Sequence, residues 1–135
     1  MLAPACPRLT ESKYRLLYLG NDLEFIAAMR QVLPEPDYLL VSCSDWGGAV
    51  LFLNSDIPYD LMLIDFDWRG KKGLELARLA QSLAHREDMP IVMVAATRVN
   101  SAVKTLARKG GVKKCLTKTP DLGSVVDAIR QLIGG

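Results

Sequence analysis

Short apolar runs alternate along this chain with longer stretches in which apolar residues recur at helical spacing. Five such runs are bounded by turn or helix-cap residues, at 16–19, 38–42, 61–66, 91–95 and 113–117. The middle runs are apolar without alternation, which is typical of strands that helices cover on both faces. This rhythm predicts βαβ units and a doubly wound sheet of five parallel strands.

The intervals around these runs carry five predicted helices. They follow the cap candidates Asn21 and Asp22, follow Ser44 and Asp45, cover about 73–84 and about 100–108, and begin at Thr119 and Pro120. The second is the weakest, because two glycines at 47 and 48 fall in its first turn. The fourth stops at the two glycines of 110–111, and the fifth starts with a cap threonine and a proline at its first position.

The composition favours one domain that is stable without disulfide bonds or a structural metal. The chain has 135 residues, of which 50% are hydrophobic and 24% charged. The cysteines Cys6, Cys43 and Cys115 are odd in number and show no C-x-x-C spacing, which argues against disulfides or zinc. No run approaches the roughly 18 residues of a membrane span, and the start lacks a signal-peptide pattern. We expect a cytoplasmic protein with a leader at 1–13, one domain at 14–133 and a linker or cut point at 134–135.

The net charge of +2 conceals an uneven distribution. Between 97 and 118 there is no acidic residue, while the basic ones are Arg98, Lys104, Arg108, Lys109, Lys113, Lys114 and Lys118. This stretch is either a solvated face or a surface for a partner, and for a partner we favour an acidic protein. It contains no aromatic residue for base stacking, so we do not expect nucleic-acid binding.

Candidate chemistry lies where the predicted strands end, because ligands of such sheets bind at the carboxyl ends of the strands. The first run is followed by Gly20, Asn21 and Asp22, and the third contains Asp65 near its end. The fifth run is followed directly by Lys118. An acid and a lysine at this edge form either a reactive pair or a structural salt bridge, and both interpretations stay open.

The segment YDLMLIDFDWRGKKGLEL resembles the receiver domain of two-component response regulators. Its strand contains Asp65, Gly73 stands eight residues later, and LEL opens the next helix. The MP before the fourth run and the LTK that ends the fifth fit the same family, and the resemblance covers about 14–133. It implies a flavodoxin-like (βα)5 fold with strand order 2-1-3-4-5.

The resemblance also implies a chemistry. A receiver accepts a phosphoryl group from a histidine kinase or phosphotransfer protein on the aspartate that Asp65 matches, and Lys118 matches the lysine that pairs with that group. Magnesium is held by the same aspartate, by a backbone carbonyl that falls on Asp67, and by an acidic pair after the first strand. Oxygen ligands of this kind are those that Mg²⁺ requires.

The chain departs from this pattern where the metal binds. The acidic pair falls on Gly20 and Asn21, and each lost carboxylate removes roughly 4 kcal/mol of attraction at about 4 Å in an effective dielectric near 20. Asn21, Asp22 and Asp67 remain as substitute ligands, so any Mg²⁺ binding is expected to be weak. Further departures fall on Ala95 for a hydroxyl residue, Cys115 for an aromatic one, and Arg69 and Thr119 for prolines.

Two functions follow from these residues. The first is a receiver with impaired magnesium-dependent phosphorylation that acts through protein contact; the alternative is a working phosphoacceptor at Asp65 with substitute ligands. The expected partner face comprises Arg98, Lys104, Arg108, Lys109, Lys113, Lys114 and Cys115, and it would contact a kinase, a phosphotransfer protein, an output domain, or a second copy through helix 4, strand 5 and helix 5. With His85 as the sole histidine, no catalytic triad or metal cluster can be assembled, and we expect no independent enzymatic activity.

Overall fold

Strands and helices alternate along the residues that the computed structural model describes, which are 13–67, 73–119 and 122–134. The strands are β1 (Tyr14–Leu19), β2 (Tyr38–Cys43), β3 (Leu61–Asp65), β4 (Ile91–Ala95) and β5 (Val112–Thr117). The helices are α1 (Leu23–Val32), α2 (Trp46–Asn54), α3 (Gly73–Ser82), α4 (Ser101–Lys109) and α5 (Gly123–Ile133), and a 3-10 turn at Ala84–Arg86 follows α3.

The five strands form one parallel sheet in the order β2-β1-β3-β4-β5, which confirms the predicted flavodoxin-like topology. Leu19 pairs with Cys43 on one side and with Ile64 on the other, so β1, β2 and β3 end close together. Asp65 pairs with Val94, which pairs in turn with the β5 residue Leu116. This register brings the end of β3 beside the residues that follow β1 and β5.

Helices cover both faces of the sheet, which explains the unbroken apolar runs. In β3, Leu61 and Leu63 belong to the layer packed under α1 and α5, while Met62 and Ile64 face the layer under α2, α3 and α4. All five residues of β3 are buried. A strand with two apolar faces has no position for a polar side chain, except at its end, where Asp65 stands.

Asx caps fix where three helices begin. Side-chain oxygens of Asp22, Asp45 and Asn100 accept hydrogen bonds from the backbone N–H groups three residues on, at 3.0, 2.7 and 2.9 Å. Asp45 explains why α2 forms despite its two early glycines, since the cap satisfies a donor of the first turn. Of the two cap candidates before α1, Asp22 is therefore the cap and Asn21 is not.

Several element boundaries differ from the sequence predictions, three of them by two residues or more. The predicted start of the fifth helix at Thr119 was wrong: α5 begins at Gly123, after Leu122 adopts a left-handed φ of 54° and donates its N–H to the Thr119 carbonyl at 3.0 Å. Helix α3 ends at Ser82 rather than residue 84, because the chain tightens into the 3-10 turn. Strand β1 starts two residues earlier than predicted, where Tyr14 pairs with Tyr38 and stacks on its ring.

Several predictions fall outside the described residues. These are residues 1–12 of the leader expected over 1–13, the thiol of Cys6, the position of Arg69, the proline at 120 and residue 135 of the expected linker. Among the helices described, none combines the length and the apolar character that crossing a bilayer requires.

Candidate functional site

The carboxyl edge of the sheet holds a partly buried cluster of charges. Asp65 ends β3, Asp22 follows β1, and Lys118 follows β5, where its backbone N–H donates to the carbonyl of Ala95 at 2.8 Å. That backbone bond extends the β4–β5 ladder by one residue and points the lysine across the edge toward β3. The structure thus brings together Asp65, Lys118 and Asp22, which the sequence had placed only at strand ends.

Protein donors satisfy both carboxylate oxygens of Asp65. Oδ2 accepts from the Tyr18 hydroxyl at 2.9 Å and from the Lys118 ammonium at 2.7 Å, and Oδ1 accepts from the backbone N–H of Asp67 at 3.1 Å. Asp65 is 4% exposed. Burial at this level removes nearly all water from the carboxylate, so these three donors replace its hydration.

Lys118 bridges two acids. Its Nζ lies 2.7 Å from Asp65 Oδ2 and 2.7 Å from Asp22 Oδ2, and it sits 4.9 Å above the ring of Phe25. Burial alone would lower the pKa of Lys118, but the hydrogen bonds and charges of Asp22 and Asp65 outweigh it and raise the pKa. The hydrogen bond from Lys118 is the main reason that the pKa of Asp22 is lowered. Lys118 and Asp22 therefore both stay charged at neutral pH.

Tyr18 is a member of this cluster that sequence reasoning missed. The residue is fully buried in β1 and its ring packs 5.2 Å from the ring of Phe25. Burial, then the charge and hydrogen bond of Asp65, raise the pKa of the Tyr18 hydroxyl, which keeps it a proton donor. The available signal was a tyrosine within the apolar run 16–19, two positions before a glycine and therefore on the same face of the sheet.

Gly20 leaves the space that the tyrosine occupies. A Cβ at this position would lie 2.5 Å from the Tyr18 hydroxyl oxygen and 2.8 Å from the Cβ of Asp65. Real Cβ atoms essentially never make contacts this short. The residue at the first position of the expected acidic pair therefore has to be glycine while Tyr18 reaches Asp65 in this way.

The residues at this edge do not fit a magnesium ion. Oδ2 of Asp22 accepts a hydrogen bond from Lys118, and Oδ1 accepts one from the N–H of Phe25. Oδ2 of Asp67 accepts one from the N–H of Ala96 at 3.2 Å. Asn21 is exposed to solvent. Within 13–67, 73–119 and 122–134, no group of three histidine, cysteine, aspartate or glutamate residues is placed to hold a metal ion. The carboxylate oxygens of Asp22 and Asp65 that Mg²⁺ would require already accept hydrogen bonds from protein donors.

The expected partner face lies along the edge strand β5. Five of its residues, Lys104, Arg108, Lys113, Lys114 and Cys115, line one groove of about 250 Å³, which we call the basic groove. Arg98 shares an adjoining depression with Lys104, and Lys109 shares another with Arg108. Burial raises the pKa of the Cys115 thiol, with Lys104 and Arg108 opposing it only in part. The groove therefore presents cations and a protonated thiol.

A second buried charge, also missed from the sequence, lies at the opposite edge of the sheet. Arg86 is 3% exposed and donates to the carbonyls of Leu53 at 3.0 Å, Phe52 at 3.0 Å and Ser55 at 2.9 Å, at the end of α2. Nε2 of His85 lies 3.0 Å from two of the same carbonyls, those of Leu53 and Ser55. The histidine thus lies against the end of α2.

Comparisons with known proteins identify the fold. No protein-family model matches the chain, and no curated protein matches its sequence. A CheY-like receiver domain protein from Methanospirillum hungatei is 19% identical, with a TM-score of 0.78 over 91% of this chain and 95% of that one. A LuxR-family two-component response regulator from Aurantimonas sp. is 22% identical, with a TM-score of 0.75 over 92% and 87%.

One further neighbour is a response regulator from Thermotoga maritima in complex with Mg²⁺-BeF. It is 19% identical, with a TM-score of 0.71 over 88% of this chain and 98% of that one. These neighbours share the sheet order and the alternation of strands and helices found here. The chain therefore has the fold of response-regulator receiver domains.

Proposed function

We propose that this chain is a receiver module of a two-component system or phosphorelay that acts through protein contact, without magnesium-dependent phosphorylation of Asp65. The observation that carries the proposal is the closed cluster at Asp65. Both oxygens of its carboxylate accept hydrogen bonds from Tyr18, Lys118 and Asp67, and no set of ligands for a divalent cation accompanies them among the described residues.

The charges in the cluster oppose phosphoryl transfer. Asp22 and Asp65 carry two negative charges against the single positive charge of Lys118. Phosphoryl transfer brings further negative oxygens to the acceptor, and enzymes neutralise them with a metal ion or with cations held for that purpose. Here the only bridging cation of the cluster is already shared by two carboxylates. Oδ2 of Asp65, which already accepts two hydrogen bonds, would have to lose one of them before it could attack phosphorus.

The basic groove supports a partner of opposite charge. Lys104 and Arg108 from α4 face Lys113 and Lys114 from β5, and the residues that line the groove include no acid. Complementary charge speeds association and selects the partner, while like charges brought together oppose it. We therefore favour an acidic surface on a kinase, a phosphotransfer protein or an output domain over a dimer that would bring two such grooves together.

Phosphorylation is tested by incubating the chain with MgCl₂ and acetyl phosphate and recording intact mass over time. The control is Asp65→Asn, which keeps the shape of the side chain and removes the acceptor. We expect the two masses to remain unchanged. A parent protein that gains the mass of one phosphoryl group, while Asp65→Asn does not, would establish the alternative of a working phosphoacceptor with substitute ligands.

Partner charge is tested with a polyglutamate peptide as the probe. In an NMR titration, we expect the changes in backbone amide chemical shift to concentrate at Lys104, Arg108, Lys113 and Lys114. We also expect binding to weaken as salt is added. Lys114→Glu should abolish the shifts, whereas Lys13→Glu, a matched charge reversal at the start of β1, should leave them unchanged. Equal effects of the two reversals would show that net charge alone, and not the groove, attracts the peptide.

A further inference from the structure

We propose that the Tyr18 hydroxyl and the Lys118 ammonium together take the place of a divalent cation on Asp65, and that Tyr18 is the residue that closes this site to metal. The inference rests on the proposed function and deepens it, because it names the group responsible. It makes Tyr18 a positioning residue that acts on Asp65, and it assigns Gly20 the role of making room.

The Tyr18 ring occupies the space that a side chain at position 20 would need. Tyr18 and Gly20 lie two residues apart in an extended segment, so a side chain at position 20 would share the face on which the tyrosine ring lies. A Cβ there would lie 2.5 Å from the hydroxyl oxygen and 2.7 Å from Cζ of the ring. An aspartate at position 20 and the present tyrosine conformer exclude one another. The loss of the acid and the presence of the tyrosine are therefore one feature of the site.

Three protein groups donate hydrogen bonds to the Asp65 carboxylate. Oδ2 receives one hydrogen bond from a neutral hydroxyl and one from an ammonium, and Oδ1 receives one from backbone. Every buried side-chain polar atom among the described residues has a hydrogen-bond partner, so the cluster is complete as it stands. The hydroxyl adds a donor without adding charge, while Lys118 supplies the positive charge. Together they satisfy a buried carboxylate as a cation would.

Restoring the two acids alone should not restore a metal site. Aspartates at positions 20 and 21 add the missing carboxylates, but the tyrosine ring still fills the space beside Asp65 and its hydroxyl still occupies Oδ2. A metal ion on Oδ2 would need that oxygen and that space at once. Metal binding should therefore return only when the acids are added and the tyrosine is shortened in the same chain.

The experiment compares four proteins: the parent, Gly20→Asp/Asn21→Asp, Tyr18→Leu, and the combined Tyr18→Leu/Gly20→Asp/Asn21→Asp. Each is titrated with MgCl₂ by calorimetry, and its thermal midpoint is followed with and without MgCl₂. We expect saturable binding and a Mg²⁺-dependent rise of the midpoint in the combined variant, with affinity roughly tenfold or more above that of the two-acid variant.

Equal Mg²⁺ affinity in the two-acid and combined variants would overturn the role of Tyr18, and so would a folded combined variant that fails to bind. Saturable binding by the parent would instead contradict the proposed function, so the two failures are distinguishable. If the combined variant does not fold, a second measurement on other variants tests the same role of Tyr18. The loss of stability caused by Gly20→Ala should be smaller in the Tyr18→Leu background than in the parent, and an equal loss in both would overturn the proposal.

Discussion

Two buried ionic groups lie at opposite edges of the same sheet and are satisfied in different ways. Asp65, 4% exposed at the carboxyl edge, is bonded to the side chains of Tyr18 and Lys118. Arg86, 3% exposed at the other edge, donates to three backbone carbonyls at the end of α2 and lies 5.1 Å from the ring of Tyr59. One charge is neutralised by an opposite charge, and the other by the carbonyl dipoles of a helix terminus.

The difference separates a structural charge from an adjustable one. The carbonyls that hold Arg86 belong to the main chain of the last turn of α2 and of Ser55, which caps it, so their positions are fixed by the fold and no single substitution can replace them. The donors that hold Asp65 are mostly side chains from β1 and from the residue after β5, and each can be changed while the strands remain. We therefore expect substitutions at the first site to change stability and substitutions at the second to change what Asp65 can bind.

The largest effect should come from Arg86→Met. The change removes three hydrogen bonds that a buried guanidinium donates to carbonyls near the end of α2, and we expect a loss of roughly 4 kcal/mol in the free energy of unfolding. The carbonyls of Leu53 and Ser55 keep the contact with His85, and that of Phe52 keeps the hydrogen bond from the Ser55 hydroxyl. Urea denaturation measures it. Arg86→Lys is the control, because it keeps the charge but lacks the planar fork, and it should recover part of the loss. A loss below about 1 kcal/mol for Arg86→Met would show that the guanidinium contributes little to stability.

Lys118→Met should cost less, about 2 to 3 kcal/mol, because it leaves the Asp65 carboxylate buried without its cation but with two other donors. The double variant Lys118→Met/Asp65→Asn removes the stranded charge and should recover a substantial part of that loss. Chemical denaturation of the parent, the two single variants and the double variant gives the coupling free energy between Lys118 and Asp65. Strictly additive losses would mean that the two side chains do not interact across the edge.

Tyr18→Phe should cost roughly 1.5 kcal/mol, since it removes one hydrogen bond to a charged acceptor and leaves the ring packed against Phe25. The matched control is Tyr14→Phe in the same strand, where the ring stacks on Tyr38 and we expect a change within about 0.5 kcal/mol. Thermal or urea unfolding of the two variants measures the difference. If the variants are equally stable, the Tyr18 hydroxyl does not hold Asp65.

The smallest effect concerns pH and Asp22. Its folded pKa is lowered, so its contribution to stability is present above the ordinary aspartate pKa of about 3.9 and is lost as the pH falls through the folded value. Because the side chain is 33% exposed, the contribution should stay below about 1 kcal/mol. The stability difference between the parent and Asp22→Asn should therefore be constant near neutrality and vanish in acid. Urea unfolding at stepwise lower pH measures this, and a difference that grows in acid would contradict the assignment.

The Lys118 side of the bridge behaves oppositely. Its folded pKa is raised, so its contribution is complete below the ordinary lysine pKa of about 10.4 and is lost only as the pH rises through the folded value. No change from this group is expected between neutral pH and the onset of that alkaline range.

The sheet and the meeting of Asp65 with Lys118 could be predicted because they follow from strand order. Apolar runs without alternation identify buried parallel strands, and the ends of parallel strands meet at one edge. Tyr18 could not be placed in the cluster, because a tyrosine inside an apolar run has the pattern of a core residue and its hydroxyl partner lies 47 positions away. Arg86 was missed for the opposite reason, since an arginine in a polar connection is ordinarily solvated.

The start of α5 shows how tertiary packing overrides a local signal. Threonine and proline at 119 and 120 are good residues to begin a helix, but Leu122 is 3% exposed in the layer under α1 and α5. Its burial is achieved with a left-handed backbone, and the helix begins only after it. Propensity sets a preference of order 1 kcal/mol at such a position, which the burial of a leucine side chain can exceed.

The central claim, that protein groups already occupy the place of metal and phosphoryl group on Asp65, is tested most directly by a crystal structure of the parent chain grown with MgCl₂ and beryllofluoride. We predict that Lys118 keeps its bonds to Asp22 and Asp65, that the Tyr18 hydroxyl remains on Asp65, and that no beryllofluoride is attached. A beryllofluoride group bonded to Asp65 beside a coordinated Mg²⁺, with Tyr18 displaced, would contradict the account.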